Sequence, residues 1–313
     1  MSMEMLEKDG LSALLADARA RVFQKTDAWA ALPKRVRDSH KGCYGSAAIV
    51  AGSIEYTGAA YLSAAACLRA GAGYTTLFLP SGILPYYLLK APELLLKNIN
   101  DGDRYAFKRE NMDELLGYSS VAFGMGMGAT EAVAKGAAYL LRKYTGKLIL
   151  DADGLNSLAF YEKENLLSLF HNAKCDVLLT PHLKEFSRLC GSTIEEIVKD
   201  RIGLAKAFAK EYKLTLLLKG AVSVLTDGER VALNATGNSA LAKGGSGDVL
   251  SGVTAGLCAM GASAFDGAAV AAYITGSAAE LASARLSEYS VTATDVISYL
   301  GAAFLSVAEN SNE

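Results

Sequence analysis

Residues 148–182 have the sequence LILDADGLNSLAFYEKENLLSLFHNAKCDVLLTPH, and the pattern in this stretch decides the fold. The apolar runs Leu148–Leu150 and Val177–Thr180 predict two short strands, and the helix-period segment Gly154–Phe160 lies between them. Two strands separated by a helical segment are typical of a parallel pair, because parallel strands need a crossover connection. The stretch therefore predicts one unit of a parallel sheet with helices packed on it.

The same alternation of apolar runs and helix-period segments continues along most of the chain. The other runs that predict strands are Ala47–Ala51, Tyr74–Leu79, Val121–Phe123, Leu214–Leu218, Val222–Thr226 and Arg230–Leu233. The other segments that predict helices are Ala59–Ala70, Glu131–Tyr144 and Thr193–Glu211, and almost all of 246–309. Runs 214–218 and 222–233 are too close together for a helical crossover and predict a hairpin. We expect an α/β fold with three αβα layers, in which a mainly parallel sheet has helices on both faces.

The first 38 residues differ from the rest of the chain. They are rich in charge, and the apolar positions Leu11, Leu14, Leu15, Ala18 and Val22 recur with a helical period. This pattern predicts an N-terminal helical extension over 1–38, followed by a single domain over 39–313. The apolar side of the extension is also a candidate contact between copies of the chain, which predicts a homo-oligomer, a dimer or a tetramer.

Composition excludes several classes of protein. The chain has 313 residues, with 31 Lys+Arg against 33 Asp+Glu, so it lacks the cationic excess of a nucleic-acid binder. Five scattered cysteines without a CxxC pair predict a reduced, cytoplasmic protein, and the three histidines lack metal-ligand spacing. The weakly charged run 249–279 consists mostly of Ala, Gly, Ser and Thr, which favours packed helices over a membrane span.

The segment Lys243–Asp248, KGGSGD, is the strongest candidate for chemistry. Its glycines allow the backbone to turn sharply, and the helix predicted after it offers unpaired N–H groups to an anion such as a nucleotide phosphate. Asp248 stands at the helix start, where a carboxylate is either a cap or a base that takes a proton from an attacking hydroxyl. The plainer alternative is a glycine-rich turn with Asp248 as the N-cap.

Further polar and glycine-rich loops follow the other predicted strands. The run Gly124–Gly128, GMGMG, could form a dinucleotide turn, although the acidic residue that completes such a fingerprint is missing. Asp151 and Asp153 either face a ligand or cap the next helix. Because ligands of parallel sheets bind at the carboxyl ends of the strands, we expect these loops to meet there.

Two more loops contain charged side chains at the same predicted edge. His182 closes one strand, and Glu185 either binds Mg²⁺ through water or lies in the first turn of a helix. Lys219 directly follows an apolar strand and either pairs with a phosphate or is a solvated hairpin lysine. The amides Asn234 and Asn238 lie near the next turn and are equally common in plain loops.

An ordered set of short segments between residues 40 and 256 resembles one known family. The segments are His40–Gly45, Ala51–Ser53, Gly58–Ala60, Arg69–Gly73, Gly124–Gly128, Leu150–Asn156, Thr180–His182, Lys219-Gly220, Gly237-Asn238 and Gly244–Gly252. The set is similar to the ribokinase-like fold and, within it, to the ADP/ATP-dependent NAD(P)H-hydrate dehydratase family. The chain departs from the usual family pattern at Leu183-Lys184 in place of Pro-Gly, at Ser223 in place of Thr and at Met125 in place of Pro.

The resemblance implies an activity and its site residues. The implied reaction is ADP- or ATP-dependent dehydration of the S-epimer of hydrated NADH or NADPH (NADHX or NADPHX), with Mg²⁺ and with Asp248 as the catalytic base. The implied ligands of the adenine nucleotide are Lys219, Gly220, Ala221, Val222, Ser223, Asn238, Gly245, Ser246 and Gly247. The implied ligands of the hydrated cofactor are Gly58, Ala59, Gly126, Gly128, Asp151, His182 and Asp248.

Two other functions remain as alternatives. One is a small-molecule kinase of the same fold that phosphorylates a vitamin precursor or a sugar hydroxyl with the same anion site and base. The other is a nucleotide-binding regulatory protein without catalysis, which Asp248 beside an intact glycine-rich loop disfavours. The resemblance also implies an epimerase as partner. Because residues 1–40 are too few to contain that domain, we expect a dehydratase that works with a separate epimerase.

Overall fold

The structure is a computed structural model that describes Leu14, residues 16–88 and residues 91–308. The strands among these residues are β1 (Arg21–Val22), β2 (Ser46–Val50), β3 (Tyr74–Pro80), β4 (Leu95–Asn100), β5 (Ser120–Phe123), β6 (Lys147–Leu150), β7 (Asp176–Leu179), β8 (Thr215–Leu218), β9 (Ser223–Thr226) and β10 (Val231–Asn234). The α-helices are α1 (Lys25–Ala31), α2 (Thr57–Arg69), α3 (Arg109–Leu115), α4 (Glu131–Lys143), α5 (Asp153–Tyr161), α6 (Leu166–His171), α7 (Leu183–Cys190), α8 (Ile194–Lys199), α9 (Arg201–Tyr212), α10 (Ser246–Ala259), α11 (Ala264–Leu286) and α12 (Ala293–Ala308).

The described strands form a single sheet in the order β1-β10-β9-β8-β7-β6-β5-β2-β3-β4. Every neighbouring pair from β8 to β4 is parallel. Strand β9 is antiparallel to both β8 and β10, so the expected hairpin is present at this side of the sheet. The mainly parallel sheet predicted from the alternating sequence is therefore confirmed.

The alternation of side chains along each strand divides the core between two faces of the sheet. In β2, Ala47 and Ile49 pack into one core, whereas Ala48 and Val50 pack into the other. Helices α1, α2, α10, α11 and α12 contribute buried residues to the first core, and α3 to α9 contribute to the second. Because both faces are covered, the strands are apolar almost throughout, and the three-layer αβα architecture is confirmed.

Two strands were not expected from the sequence. Strand β1 lies in the segment predicted to be a helical extension, but it is only two residues long and is recognised only through its pairing with β10. Strand β4, with the sequence LLKNIN, is half-exposed and contains Lys97 and Asn98, which interrupt the apolar run that would predict a buried strand. Leu11 and Leu15 of the predicted extension lie outside the described residues, and the boundary at residue 38 stays a prediction.

The run of small residues at 249–279 allows helices to pack closely. A Cβ added at Gly252 would lie 2.1 Å from the backbone oxygen of Ser63, and one at Gly256 would lie 2.7 Å from Cβ of Ala70. Helix α10 therefore lies directly on α2, which fixes the position of its N-terminal end. In the described part of the chain, no helix has both the length and the apolar character needed to span a membrane.

Candidate active site

A cavity of about 660 Å³ lies where loops from the carboxyl ends of β7 and β8 meet the start of α10, a volume in the range of small-molecule sites. Its wall comes from the β8–β9 turn, the segment after β10, the first turns of α10 and the middle of α11. The residues that line it are His182, Lys219, Gly220, Ala221, Ser223, Asn234, Thr236, Gly237, Asn238, Ser239, Leu241, Ala242, Lys243, Ser246, Gly247, Leu250, Ala272, Thr275 and Gly276.

The first turn of α10 offers backbone N–H groups to an anion. Gly245 is the N-cap with φ +96°, a conformation that favours glycine, and a Cβ there would lie 2.6 Å from Cδ1 of Leu62. The first i-to-i−4 hydrogen bond of the helix runs from Val249 N to Gly245 O. The N–H groups of Gly247 and Asp248 therefore have no partner within the helix, whereas Ser246 N donates to Lys243 O at 3.4 Å.

Asp248 is the third residue of α10, and its environment favours the protonated carboxyl. Burial, together with the negative charges of Asp151 and Asp153, raises the pKa of Asp248 to about 7, although Lys219 acts in the opposite direction. The helix is capped by Gly245 without a side-chain cap bond, so the alternative in which Asp248 is the N-cap is wrong. A carboxylate with a pKa near neutrality is suited to accept a proton at physiological pH.

Asp151 is a buried carboxylate at the centre of a polar cluster. Its Oδ1 accepts hydrogen bonds from Lys219 Nζ and from Ala152 N, both at 2.8 Å, and its Oδ2 accepts from Ser251 Oγ at 2.6 Å. Asp151 is only 1% exposed, so these partners compensate its charge in place of water. The N-cap of α5 is Ala152, and therefore Asp151 does not cap that helix.

Lys219 connects the cluster to the cavity. Burial alone would lower the pKa of Lys219, but the carboxylates of Asp151, Glu185 and Asp248 together raise it, so the ammonium stays charged. A Cβ added at Gly247 would lie 3.5 Å from Lys219 Nζ, which places this cation beside the first turn of α10. Lys219 lines the cavity and forms a buried ion pair, so the alternative of a solvated hairpin lysine is wrong.

The glycine run after β5 packs against two neighbouring loops. Gly126 has φ +63°, and a Cβ there would lie 2.9 Å from Cβ of Ala59 at the start of α2. Gly128 N donates to Asp153 Oδ2 at 2.8 Å. Gly58 is exposed and faces open space, whereas Ala59 is buried. The predicted ligands of the hydrated cofactor thus lie on loops that adjoin the cluster around Asp151.

His182 is both a helix cap and a residue of the cavity wall. Its Nδ1 accepts from Lys184 N at 3.1 Å and from Glu185 N at 3.2 Å, while Glu185 Oε2 accepts from His182 N at 2.9 Å. Burial and the nearby Lys219 lower the pKa of His182, so the ring is neutral at pH 7 with its proton on Nε2. The Nε2–H group is 3.3 Å from Glu185 Oε1.

The carboxylate of Glu185 is a weak candidate for binding a metal, because it is only 5% exposed and both its oxygens lie against His182. Among the described residues, no group of three or more His, Cys, Asp or Glu side chains could hold a metal ion. The carboxylate of Asp248, in contrast, makes no hydrogen bond in the described part of the chain. The site therefore fits a hard cation that arrives with phosphate oxygens and water and keeps most of those ligands.

The structure brings most of the predicted nucleotide ligands together around the cavity. Those that line it are Lys219, Gly220, Ala221, Ser223, Asn238, Ser246 and Gly247. Val222 instead points into the hydrophobic core, and Gly245 forms the turn before α10. Of the predicted ligands of the hydrated cofactor, only His182 lines this cavity.

Several residues of the site were missed in the sequence. Ser251 is one helical turn after Asp248, and this spacing places both on one face of α10. Ala272, Thr275 and Gly276 form one stripe of α11 that lines the cavity. Their spacing of three and four residues could have indicated a shared face, but the small residues looked like ordinary helix packing.

Comparisons with known proteins identify the family. The family model described as NAD(P)H-hydrate dehydratase matches residues 47–301. The chain is 36% identical over 283 residues to the bifunctional NAD(P)H-hydrate repair enzyme Nnr of Moorella thermoacetica, covering 88% of this chain and 52% of that protein. The chain therefore spans about half the length of that curated relative.

Two other matches cover nearly the full length of both proteins. The ADP-dependent (S)-NAD(P)H-hydrate dehydratase of Cenarchaeum symbiosum is 33% identical over 284 residues, which is 90% of this chain and 96% of that protein. The crystal structure of ADP/ATP-dependent NAD(P)H-hydrate dehydratase from Bacillus subtilis, co-crystallised with ATP and Mg²⁺, superposes with a TM-score of 0.80 at 28% identity, covering 93% of this chain and all of that one. By its sequence matches and its ribokinase-like fold, this chain belongs to the NAD(P)H-hydrate dehydratase family.

Proposed function

We propose that this chain catalyses the ADP- or ATP-dependent dehydration of the S-epimer of NADHX or NADPHX, which restores NADH or NADPH. One observation carries the proposal: a carboxylate with a pKa of about 7 lies in the same helical turn as unpaired N–H groups, beside a buried lysine. These are the groups that phosphoryl transfer to an alcohol requires. The names of the relatives in Cenarchaeum symbiosum and Bacillus subtilis support the same reaction.

The proposed chemistry begins with the hydroxyl on C6 of the hydrated nicotinamide ring. Hydroxide is a poor leaving group, and transfer of a phosphoryl group converts it into phosphate, which leaves readily. Asp248 takes the proton from the C6 hydroxyl, and the oxygen attacks the terminal phosphorus of ADP or ATP, releasing AMP or ADP. The ring nitrogen then donates its electron pair as the C6–O bond breaks, and loss of a proton from C5 restores the ring.

The chain stabilises the negative charge that develops on the transferred group. The N–H groups of Gly247 and Asp248 point from the positive end of the α10 dipole, and the ammonium of Lys219 lies beside them. Asp151 holds this ammonium in place with a 2.8 Å bond. A fixed array of donors needs no reorganisation as the charge forms, which lowers the barrier.

Magnesium would enter with the nucleotide. When bound, it supplies positive charge that neutralises the phosphate oxygens. The carboxylate of Asp248 makes no hydrogen bond in the described part of the chain, so its oxygens would be free to accept from the water shell of the ion. A water-mediated contact with Glu185 stays a prediction from the sequence.

The proposed reaction also bears on the partners and the cellular location of the chain. Because spontaneous hydration gives both epimers, we propose that the chain works together with an epimerase, as the bifunctional names of relatives suggest. A cytoplasmic location and a homo-oligomeric state, dimer or tetramer, stay predictions. They are tested by fractionation of cells and by light scattering, in which a mass equal to a single chain would contradict the oligomer.

The decisive experiment is incubation of the protein with freshly hydrated NADH and ADP or ATP. We expect recovery of the absorbance of reduced nicotinamide together with release of inorganic phosphate. A kinase of the same fold would instead produce a stable phosphoester and leave the absorbance low. The matched control is Asp248→Asn, which keeps the shape of the side chain and removes the base.

A further inference from the structure

One buried hydroxyl on the cavity wall has no hydrogen-bond partner among the described residues. Thr275 lies in the middle of α11, is 4% exposed and lines the cavity. Its Oγ1 is buried and makes no hydrogen bond within the part of the chain that the structure describes. Buried polar groups are nearly always paired, because an unpaired hydroxyl destabilises the fold. A partner supplied by a ligand would explain why a hydroxyl stands here.

Two other buried hydroxyls in helices of this chain are satisfied by the helix itself. Thr254 donates to the carbonyl of Leu250 at 2.7 Å, and Ser63 donates to that of Ala59 at 2.9 Å. Thr275 makes no such bond to the carbonyl four residues earlier. Because rotation about the Cα–Cβ bond moves the hydroxyl from one staggered position to another, the hydroxyl can turn towards a ligand without movement of the backbone.

Small residues lie next to Thr275 in the wall. Ala272 and Gly276 lie on the same stripe of α11. A Cβ at Gly237 would lie 2.8 Å from Cδ1 of Leu241 and 3.4 Å from Cα of Gly276, so these residues are close neighbours. Mostly apolar walls with a few polar groups are typical of small-molecule sites, and they suit the faces and the polar edge of a heteroaromatic ring.

The other end of the cavity differs in chemistry. Lys219, Ser246 and Gly247 line it there, beside the unpaired N–H groups of α10. That end suits the phosphates, which leaves the part of the cavity beside Thr275 for the rest of the nucleotide. We propose that Thr275 is a specificity-determining residue whose hydroxyl forms a hydrogen bond with the adenine ring. The proposal rests on the proposed function, since it assigns a part of the same phosphoryl donor.

Calorimetric titration of the wild-type protein, Thr275→Val and Thr275→Ser tests this assignment. Valine has the same shape without the hydroxyl, and serine keeps the hydroxyl without the methyl group. We expect Thr275→Val to weaken ADP binding about 2- to 12-fold, the range of a neutral hydrogen bond. Thr275→Ser should bind ADP as the wild type does, and pyrophosphate, which lacks the base, should bind all three proteins equally.

Two further measurements distinguish a contact with the adenine ring from a contact with the 2′-hydroxyl of the ribose and from a role in folding. Thr275→Val should weaken 2′-deoxy-ADP by the same factor as ADP. Its melting temperature without nucleotide should equal or exceed that of the wild type, because an unpaired buried hydroxyl has been removed.

The inference is overturned if Thr275→Val binds ADP normally, or if Thr275→Ser loses as much affinity for ADP as Thr275→Val does. It is also overturned if Thr275→Val weakens the binding of ADP but not of 2′-deoxy-ADP, or weakens the binding of pyrophosphate equally. A fall in the melting temperature of Thr275→Val would overturn it as well. All of these readouts use binding or unfolding. A wild-type protein that shows the expected pattern but fails to restore NADH would refute the proposed function and leave the assignment of Thr275 intact.

Discussion

Replacement of Asp248 by Asn removes the proposed base and changes the shape of the site very little. If Asp248 takes the proton from the attacking hydroxyl, turnover should fall about 10²- to 10⁴-fold, the range of general-base contributions. The wild-type kcat/KM should rise with pH and level off above about 7, where the carboxyl of Asp248 is ionised. ADP binding should be largely kept, since the N–H groups of the α10 turn remain.

The same substitution, Asp248→Asn, should lower activity but raise the free energy of unfolding. A rise of the pKa from 3.8 to about 7 corresponds to roughly 4 kcal/mol, at about 1.4 kcal/mol for each pKa unit. Because Asp248 is only half-buried, solvent screening reduces this to roughly 2 kcal/mol. The folded state binds the proton more tightly than the unfolded chain, so stability from this group is full below pH 3.8 and is lost as pH rises through 7.

Urea unfolding followed by circular dichroism measures this effect. We expect Asp248→Asn to gain stability over the wild type between pH 4 and pH 7, with a constant advantage of roughly 2 kcal/mol at higher pH. The control is Asp38→Asn, in which an exposed carboxylate is removed and no such gain is expected. Turnover close to that of the wild type would refute the role of Asp248 as base, and a stability difference that does not depend on pH would refute its described environment.

The other predictions concern the cluster, the glycine run and the helix cap. Lys219→Met leaves Asp151 charged and unpaired in the interior, so urea unfolding should show a loss of roughly 3 kcal/mol. Gly126→Ala introduces a Cβ at φ +63° only 2.7 Å from a neighbouring side-chain carbon, and thermal melts should show a loss of roughly 1–3 kcal/mol. The control Gly301→Ala, in open space on α12, should gain about 0.5–1 kcal/mol. His182 has a lowered pKa and accepts two backbone N–H bonds when neutral, so the stability it supplies should be present above pH 6.5 and lost as pH falls. His182→Asn keeps a cap that does not titrate, so its free energy of unfolding should depend less on pH over this range.

The sheet was predictable because burial on both faces leaves a strong local signal. Runs such as Leu148–Leu150 and Leu214–Leu218 are mostly apolar, and each is followed directly by a polar residue, Asp151 or Lys219. Strand β1 gave no such signal, since Arg21–Val22 is defined by a partner more than 200 residues away in the sequence. The break between α8 and α9 was also missed, because the helical period of 193–211 continues across Asp200, which caps the second helix.

The candidate site was predictable where a residue type and a turn are coupled locally. The segment KGGSGD requires glycine at its turn, and Asp248 is its last residue, so the turn and the proposed base are adjacent in the sequence. The partners of Asp151 could not be foreseen, because Lys219 and Ser251 are 68 and 100 residues away. The roles of Val222 and Gly245 depend on packing that only the folded chain reveals, and Thr275 lies in a helix whose composition suggests nothing but close packing.

The one antiparallel strand of the described sheet, β9, lies on the side where the phosphoryl donor is proposed to bind. The turn between β8 and β9, with α10 and α11, surrounds the place of the phosphoryl donor. The loops after β2, β5 and β6 carry most of the residues proposed to bind the acceptor alcohol. Asp151 in the loop after β6 holds Lys219 and belongs to both sites. Mutations in the loops after β2 and β5, in contrast, can accumulate without disturbing the donor site, so evolution or a protein engineer could exchange one acceptor for another while the energy source of the enzyme stays the same.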